Sequence, residues 1–326
     1  MIYIESNSTS AYFNFALEYY LLTEKNLDDN IVMLWRCDKT LMVGKFQNTI
    51  EEINQNYVDE NNINVVRRIT GGGTIYTDMN TWQYSVINQN YKSKGIDFES
   101  FTRPVIKALK SLDIDAYLNN RNDLLIGNKK FSGNAQCIKE NSMLHHGSIL
   151  FNTDIKEMVK SITVDESKIV SKGIKSVKDR VTNVSEHTNK VIDNLKFRDV
   201  ILEFLLDKNV SVYTLTDEDM KRIREIENEK FRSWKWNYGK SPKFNIKKSN
   251  RLNGGKLEFN IDVYKGVIND IRINGDFFSN KDISILEDKI KNHKYEKSDL
   301  SRLFDEINID KYIHNISKDE ILECII

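Results

Sequence analysis

Apolar side chains at Phe13, Ala16, Leu17, Tyr20 and Leu21 recur at the i, i+3, i+4, i+7, i+8 spacing of an amphipathic helix, so the chain is expected to open with a helix behind a short strand. The segments VMLWR and TLMVGKFQN read as short strands. NVVRRIT then leads into a glycine triplet, after which Trp82, Tyr84 and Val86 alternate with Gln83 and Ser85, and a sheet is expected to begin here. Phe101, Val105, Leu109 and Leu112 predict a helix over 99–112. DLLIGNKKF, GNAQCIKE and MLHHGSILF read as three further strands, with Gly127-Asn128 and Asn141-Ser142 as the hairpin turns between them.

Helical spacing returns at Ile155, Met158, Val159 and Ile162, and again at Phe197, Val200, Ile201, Phe204 and Leu205. A helix starting near Thr216 runs into the aromatic cluster Phe231, Trp234, Trp236 and Tyr238, and GKSP breaks the pattern at Pro242. That break predicts two domains, 1–241 and 242–326. In the second, Leu257, Phe259, Ile261 and Val263 alternate as a strand, Lys265-Gly266 forms a turn, and Val267–Ile273 returns antiparallel. Ile283, Leu286 and Ile290 mark a helix, and Ser317 with Glu320 forms a capping box before the last one. The mixture predicts an α+β fold: a large domain of mixed β-sheets flanked by helices, plus a small C-terminal α/β domain.

Composition narrows the functional classes. Over 326 residues, 40% are hydrophobic, enough for a globular core, and no apolar run approaches the roughly 18–20 residues needed to span a bilayer. The start, MIYIESNSTS, lacks a basic region followed by an apolar stretch, so a cytoplasmic location is expected. Forty-eight basic residues balance forty-eight acidic ones, which removes any global attraction to nucleic acid or an anionic membrane. Any anion site must be local. Cys37, Cys137 and Cys324 are too few and too far apart for a disulfide framework or a zinc knuckle.

Three clusters carry candidate chemistry. Arg67-Arg68-Ile69-Thr70-Gly71-Gly72-Gly73 sets a basic pair at a strand end before three residues without Cβ atoms, which lets backbone N–H groups approach a carboxylate or phosphate closely. A tight turn needing positive φ is the alternative use of such a triplet, and neither a Walker loop nor a dinucleotide fingerprint is present. In Asn122-Asp123 and Gly127-Asn128-Lys129-Lys130-Phe131-Ser132-Gly133-Asn134-Ala135-Gln136, Lys130 and Ser132 share one strand face beside Gly133. An ammonium placed there would offset charge building on a carboxylate that attacks phosphorus. In His145-His146-Gly147-Ser148 adjacent histidines point to opposite faces, so at most one lines a pocket. A basic stretch, 172–183, reads either as a solvated loop or as a cover for an acidic ligand.

Taken in order and spacing, FNFALEYYLL, LWR followed by GKFQN, RRITGGGTIYTD, NDLLIGNKKFSGNAQ, HHGSILFN, KGIKSVKDRVTN and FRSWKWNYGKSP resemble the lipoate-protein ligase A family, within the wider biotin and lipoate ligases. The likeness covers about the first 240 residues, and the tail is similar to the accessory domain of the longer members. The resemblance implies ATP-dependent ligation of free lipoate to a lysine of acyl-carrier domains through lipoyl-adenylate. Those carriers are the lipoyl domains of 2-oxoacid dehydrogenase E2 subunits or the glycine-cleavage H protein. It implies a catalytic Lys130 contacting the lipoate carboxylate and the α-phosphate. It also implies a lipoate and ATP site drawn from Arg68, Gly71, Gly72, Gly73, Tyr76, Asn122, Asp123, Ser132, Gly133, Ala135, His146 and Gly147. Mg²⁺ would accompany the phosphates, with Asp123 as its candidate ligand. Accessory-domain reorientation in such relatives makes 237–246 the expected hinge.

One departure stands out, because the family commonly carries Tyr-His-Asp where this chain has Tyr76-Thr77-Asp78. The nearest alternative is an ATP-independent octanoyl or lipoyl transferase, whose nucleophilic cysteine would sit where Asn122-Asp123 stands. A biotin ligase would need a GRGRxxR-type loop, which is missing, and a non-catalytic lipoate-binding paralogue would have no need of Arg68, Asp123 and Lys130.

Overall fold

A computed structural model describes residues 1–92, 95–119, 121–162, 179–238, 246–264, 266–295 and 297–326. The strands, in chain order, are β1 (Ile2–Tyr3), β2 (Ile31–Trp35), β3 (Thr40–Val43), β4 (Asn64–Arg67), β5 (Ile75–Thr77), β6 (Thr81–Asn88), β7 (Ala116–Leu118), β8 (Asp123–Ile126), β9 (Lys129–Lys139), β10 (Ser142–Leu150), β11 (Ser211–Val212), β12 (Ile246–Leu252), β13 (Gly255–Tyr264) and β14 (Val267–Gly275). An eight-stranded sheet runs β11-β1-β2-β6-β10-β9-β8-β7 and is antiparallel except where β1 lies parallel to β11 and β2. Helices and sheets segregate as an α+β fold requires.

The helix Ala11–Thr23 packs on one face of this sheet, capped by Ser10, whose hydroxyl accepts from Phe13 N at 3.3 Å. Its burial exceeds the expected stripe: the helix Asp217–Ile226 and the turn after it close over its outer side, and even Asn14 and Glu18 are fully buried, Glu18 against Ser85 and His146 of the sheet. The opposite sheet face is covered by the helices Phe98–Ser111 and Asn194–Leu205, through Val105, Leu109, Phe197 and Ile201.

The strands around the glycine triplet do not begin the main sheet. β4 and β5 flank β3 in a small sheet of their own, β4-β3-β5, and the chain joins the eight strands only after a turn in which Thr81 N donates to Asp78 O. The glycine loop therefore joins β4 to β5 within the small sheet, and the turn after β5 makes the crossing to the large one. The two predicted strands ending and starting at NKKF and GNAQ are one continuous β9, distorted by a bulge: Leu124 faces Ser132 whereas Leu125 faces Lys130. The first hairpin turn sits at Gly127, φ +57°, as expected, and the second lies at Glu140-Asn141, one residue early, with Glu140 taking the left-handed conformation.

In the C-terminal part β12-β13-β14 packs on the helices Ile283–Ile290 and Lys318–Ile325 around Leu257, Phe259, Ile271, Leu286 and Phe304. The Ser317–Glu320 capping box forms, each side chain bonding the other residue's backbone N–H. Phe46, from the loop after β3, belongs to this second core and stacks on Phe277 at 4.6 Å. The expected boundary at 241/242, and with it Pro242 and most of the expected hinge, lies outside the described residues. No described helix is long and apolar enough to cross a membrane.

Candidate active site

Consecutive residues on a strand face opposite ways, so the two arginines at the end of β4 part company. Arg67 turns into the protein, where its guanidinium bonds the carbonyls of Gly44 (2.8 Å), Gln47 (2.6 Å), Trp236 (3.0 Å) and Asn237 (3.2 Å) and the hydroxyl of Thr49 (2.6 Å). It is a structural brace. Arg68 turns toward a cleft and bonds Thr70 Oγ1 (3.1 Å) and the carbonyls of Met42, Gly71 and Gly73 (each 2.8 Å), shaping the glycine loop around itself. A guanidinium offers five N–H donors, and these bonds use four. Burial pushes the pKa of each arginine down to about 10, so both stay charged at neutral pH. Among the described residues neither has a carboxylate within 4 Å; the buried Glu18 favours the charged form of Arg68 from farther off, so Arg68 stands at the cleft wall as a cation without a direct ion pair.

Gly72 holds φ +93°, a conformation other residues adopt only with strain, and lines the cleft with Gly73. Gly71 does not line it. Its missing Cβ would stand 2.2 Å from Phe277 O, so this glycine gives room to the C-terminal part, whose Phe277 O also accepts from Gly72 N at 3.1 Å.

Across the cleft, Lys130 Nζ lies 2.6 Å from Asp123 Oδ1, without the alignment of a hydrogen bond, and a Cβ on Gly133 would meet that ammonium at 2.9 Å. The absence of a side chain at 133 is what lets Lys130 reach the cleft. Asn122 and Asn134 clamp the strand ends by donating to each other's carbonyl, at 2.6 and 2.9 Å, and line the same cleft with Ala135. Ser132 corrects the expected shared face. It is buried, accepts from Asn134 Nδ2 at 3.3 Å and lies off the cleft, because the bulge breaks the alternation between 130 and 132.

β10 separates its histidines as expected. His146 lines the cleft, whereas His145 is buried on the other face against Phe101 (5.2 Å) and Tyr84 (5.5 Å), with burial holding it neutral. A chain of buried polar contacts runs from Trp35 Nε1 to Ser85 Oγ (3.0 Å), on to Glu18, then to His146 Nδ1 (3.1 Å), and from His146 Nε2 to Thr70 Oγ1 (2.7 Å), which Arg68 also bonds. Gly147 admits Asn134 and Tyr84; a Cβ there would stand 2.2 Å from the Asn134 oxygen.

The cleft is lined by apolar Phe15, Trp35, Met42 and Ile75 and by cationic Arg68 and Lys130, about 530 Å³ in all counting its open mouth. Sequence reading missed Trp35, Met42, Gln83 and Ser148, since on a single strand a cleft-facing residue and a core-facing one look alike. Tyr76 is also corrected: alternation along β5 turns Ile75 to the cleft and Tyr76 into the core with Leu41, Val43 and Ile53. Thr77 Oγ1 accepts from Gln83 Nε2 at 3.1 Å, so position 77 stands one layer behind the cleft. Of the basic stretch, 172–178 lies outside the described residues; its end brackets the catalytic candidate, since Lys130 N donates to Arg180 O (2.7 Å) and Thr182 N to Lys130 O (2.9 Å).

Cys137 faces away from the cleft and burial pushes its thiol up to about 12, so it is no ready nucleophile. Cys137→Ala is therefore expected to leave acyl attachment to a carrier unchanged, and loss of attachment measured by intact mass would return Cys137 to the chemistry. Among the described residues no three His, Cys, Asp or Glu side chains gather into a metal cage. Asp123 alone suits a Mg²⁺ that arrives on phosphates, since that ion commonly takes one or two carboxylates and keeps its remaining ligands from water and substrate.

Comparison with known proteins shows the family to which the chain belongs. The family model for the lipoyl protein ligase A/B catalytic domain matches residues 10–206, and that for the bacterial lipoate protein ligase C-terminus matches 241–325. Lipoate-protein ligase LplJ of Bacillus subtilis is 36% identical, covering 100% of both chains. Among solved structures, P. falciparum LipL1 in complex with lipoate superposes with TM-score 0.78 at 27% identity, over 99% of this chain and 97% of its own. A lipoate-protein ligase A bound with ATP superposes with TM-score 0.60 at 25% identity, over 73% of this chain and 97% of its own.

Proposed function

The chain belongs to the lipoyl protein ligase A/B family, and from that premise we propose that it joins free lipoate to a lysine of a lipoyl carrier domain, using ATP and passing through lipoyl-adenylate. The observation that supports this most is the mixed lining of the cleft: Phe15, Trp35, Met42 and Ile75 suit an alkyl chain, and Arg68 and Lys130 suit a carboxylate and a phosphate. Residues 1–241 would form the catalytic unit and 242–326 the accessory one.

In the first step a lipoate carboxylate oxygen attacks the α-phosphorus of ATP, and the bond to pyrophosphate breaks. Lys130 leaves Asp123 for the developing negative charge, Arg68 and Gly72–Gly73 hold the anion, and Asn122, Gly133, Ala135, His146 and Gly147 shape the walls. Mg²⁺, when bound, would neutralise phosphate charge, and Asp123, once released by Lys130, would help to hold it. In the second step the carrier amine attacks the acyl carbon, AMP departs with the carbonyl–phosphate bond pair, and the amine loses a proton. E2 lipoyl domains and the H protein are the proposed carriers, and an ATP-consuming reaction suits a cytoplasmic enzyme.

Incubation with lipoate and an H protein, with and without ATP, followed by intact-mass measurement, tests the reading. Gain of one lipoyl group only with ATP is expected; no gain from free lipoate with ATP, but gain without ATP from a lipoyl thioester donor, would instead identify a transferase.

A further inference from the structure

Behind the glycine loop, bordered by Gly71 rather than by the cleft-lining Gly72 and Gly73, lies a second pocket that the proposed reaction leaves unused. Four lysines line it from four places in the chain: Lys45 after β3, Lys139 at the end of β9, Lys230 beside the aromatic cluster, and Lys281 in the C-terminal part. The carboxylate among its lining residues is Asp282, 3.6 Å from Lys45. Among the described residues Lys139, Lys230 and Lys281 have no carboxylate within 4 Å.

The aromatic wall holds two of these charges close together. Lys230 Nζ lies 4.2 Å from the centre of the Tyr19 ring and 4.3 Å from that of Trp236. Lys139 Nζ lies 3.3 Å from the same Tyr19 hydroxyl. Burial, with repulsion from Lys139 and Lys45, pushes the Lys230 pKa down; although burial raises that of Tyr19, the two facing ammonium groups bring it below its ordinary value. Gathered like charges are a standing cost that a multiply charged anion would relieve, and a lysine ammonium is a point-charge phosphate binder.

We infer that this pocket binds a small, multiply charged phosphate anion of the inorganic pyrophosphate type. Naming pyrophosphate rests on the proposed ligation, which would release that anion on the other side of the glycine loop. The charge geometry asks only for several negative charges on one compact group.

Calorimetric titration of the full chain with inorganic pyrophosphate, without Mg²⁺, lipoate or carrier, tests the site, and its failure is distinguishable from failure of ligation because no ligation reagent is present. Saturable binding is expected, retained in Lys130→Ala, which alters only the cleft. The double variant Lys139→Ala, Lys281→Ala removes two exposed side chains that carry no core packing; it is expected to weaken binding by at least roughly ten-fold, from the loss of two charge-assisted contacts. No saturable binding, binding lost in Lys130→Ala, or parent-like binding in the double variant would each overturn the inference.

Discussion

Lys130→Ala is expected to slow lipoate-dependent pyrophosphate release by about ten-fold to a few hundred-fold, because a charge-assisted contact made in the transition state contributes roughly 1.5–3 kcal/mol. The ammonium is half-exposed and its partner Asp123 is reached by solvent, so removing the side chain should leave the fold intact. The loss should fall on the adenylation step itself, lowering kcat and kcat/KM together, since the ammonium meets charge that is absent in free lipoate. A continuous pyrophosphate assay at saturating ATP reads this directly. Release at the parent rate would remove Lys130 from the chemistry and leave Arg68 as the cation that matters.

Arg67→Ala should be the most damaging single change to stability, although it never faces the ligand. Its guanidinium ties the loop after β3 to the segment around Trp236 and Asn237, and truncation removes a charged donor from four carbonyls at once. A loss of about 3–5 kcal/mol is expected, against roughly 5–15 kcal/mol for a typical fold. Urea unfolding should show a lower midpoint at unchanged slope. Arg67→Lys should rescue little, because a single ammonium cannot fork to so many carbonyls. A shift below about 1 kcal/mol would mean that water replaces the guanidinium at those carbonyls.

The two arginines also mark the limit of sequence reading. Neighbouring positions carry the same residue, and both are buried, yet one braces the fold and the other faces the cleft; only the direction of β4 against its neighbours separates them. The same holds along β5, where Ile75 lines the cleft and Tyr76 fills the core, and along β9, where the bulge takes Ser132 off the face of Lys130. Gln83 and Ser85 are the polar positions in the alternation along β6. They are buried, because the polar face of β6 turns to the cleft and its hydrogen-bond chain instead of to water.

By itself the sequence determined the α+β class, most helices and strands, the capping box at Ser317, the opposite facing of His145 and His146, and the glycine, lysine and histidine segments as separate candidates, their meeting at one site being implied only by the family resemblance. These are local properties, set by side-chain period, by caps and by glycine's freedom at positive φ, and each needs only a few neighbouring residues. Tertiary structure alone decided which arginine faces the ligand, that Gly71 serves the C-terminal part, that Glu18 lies buried behind His146, and that four distant lysines share one pocket. Those outcomes depend on contacts between residues far apart in the chain. Their physical reason is that register, bulges and the packing of one sheet on another set the direction of each side chain, and no single segment encodes that direction.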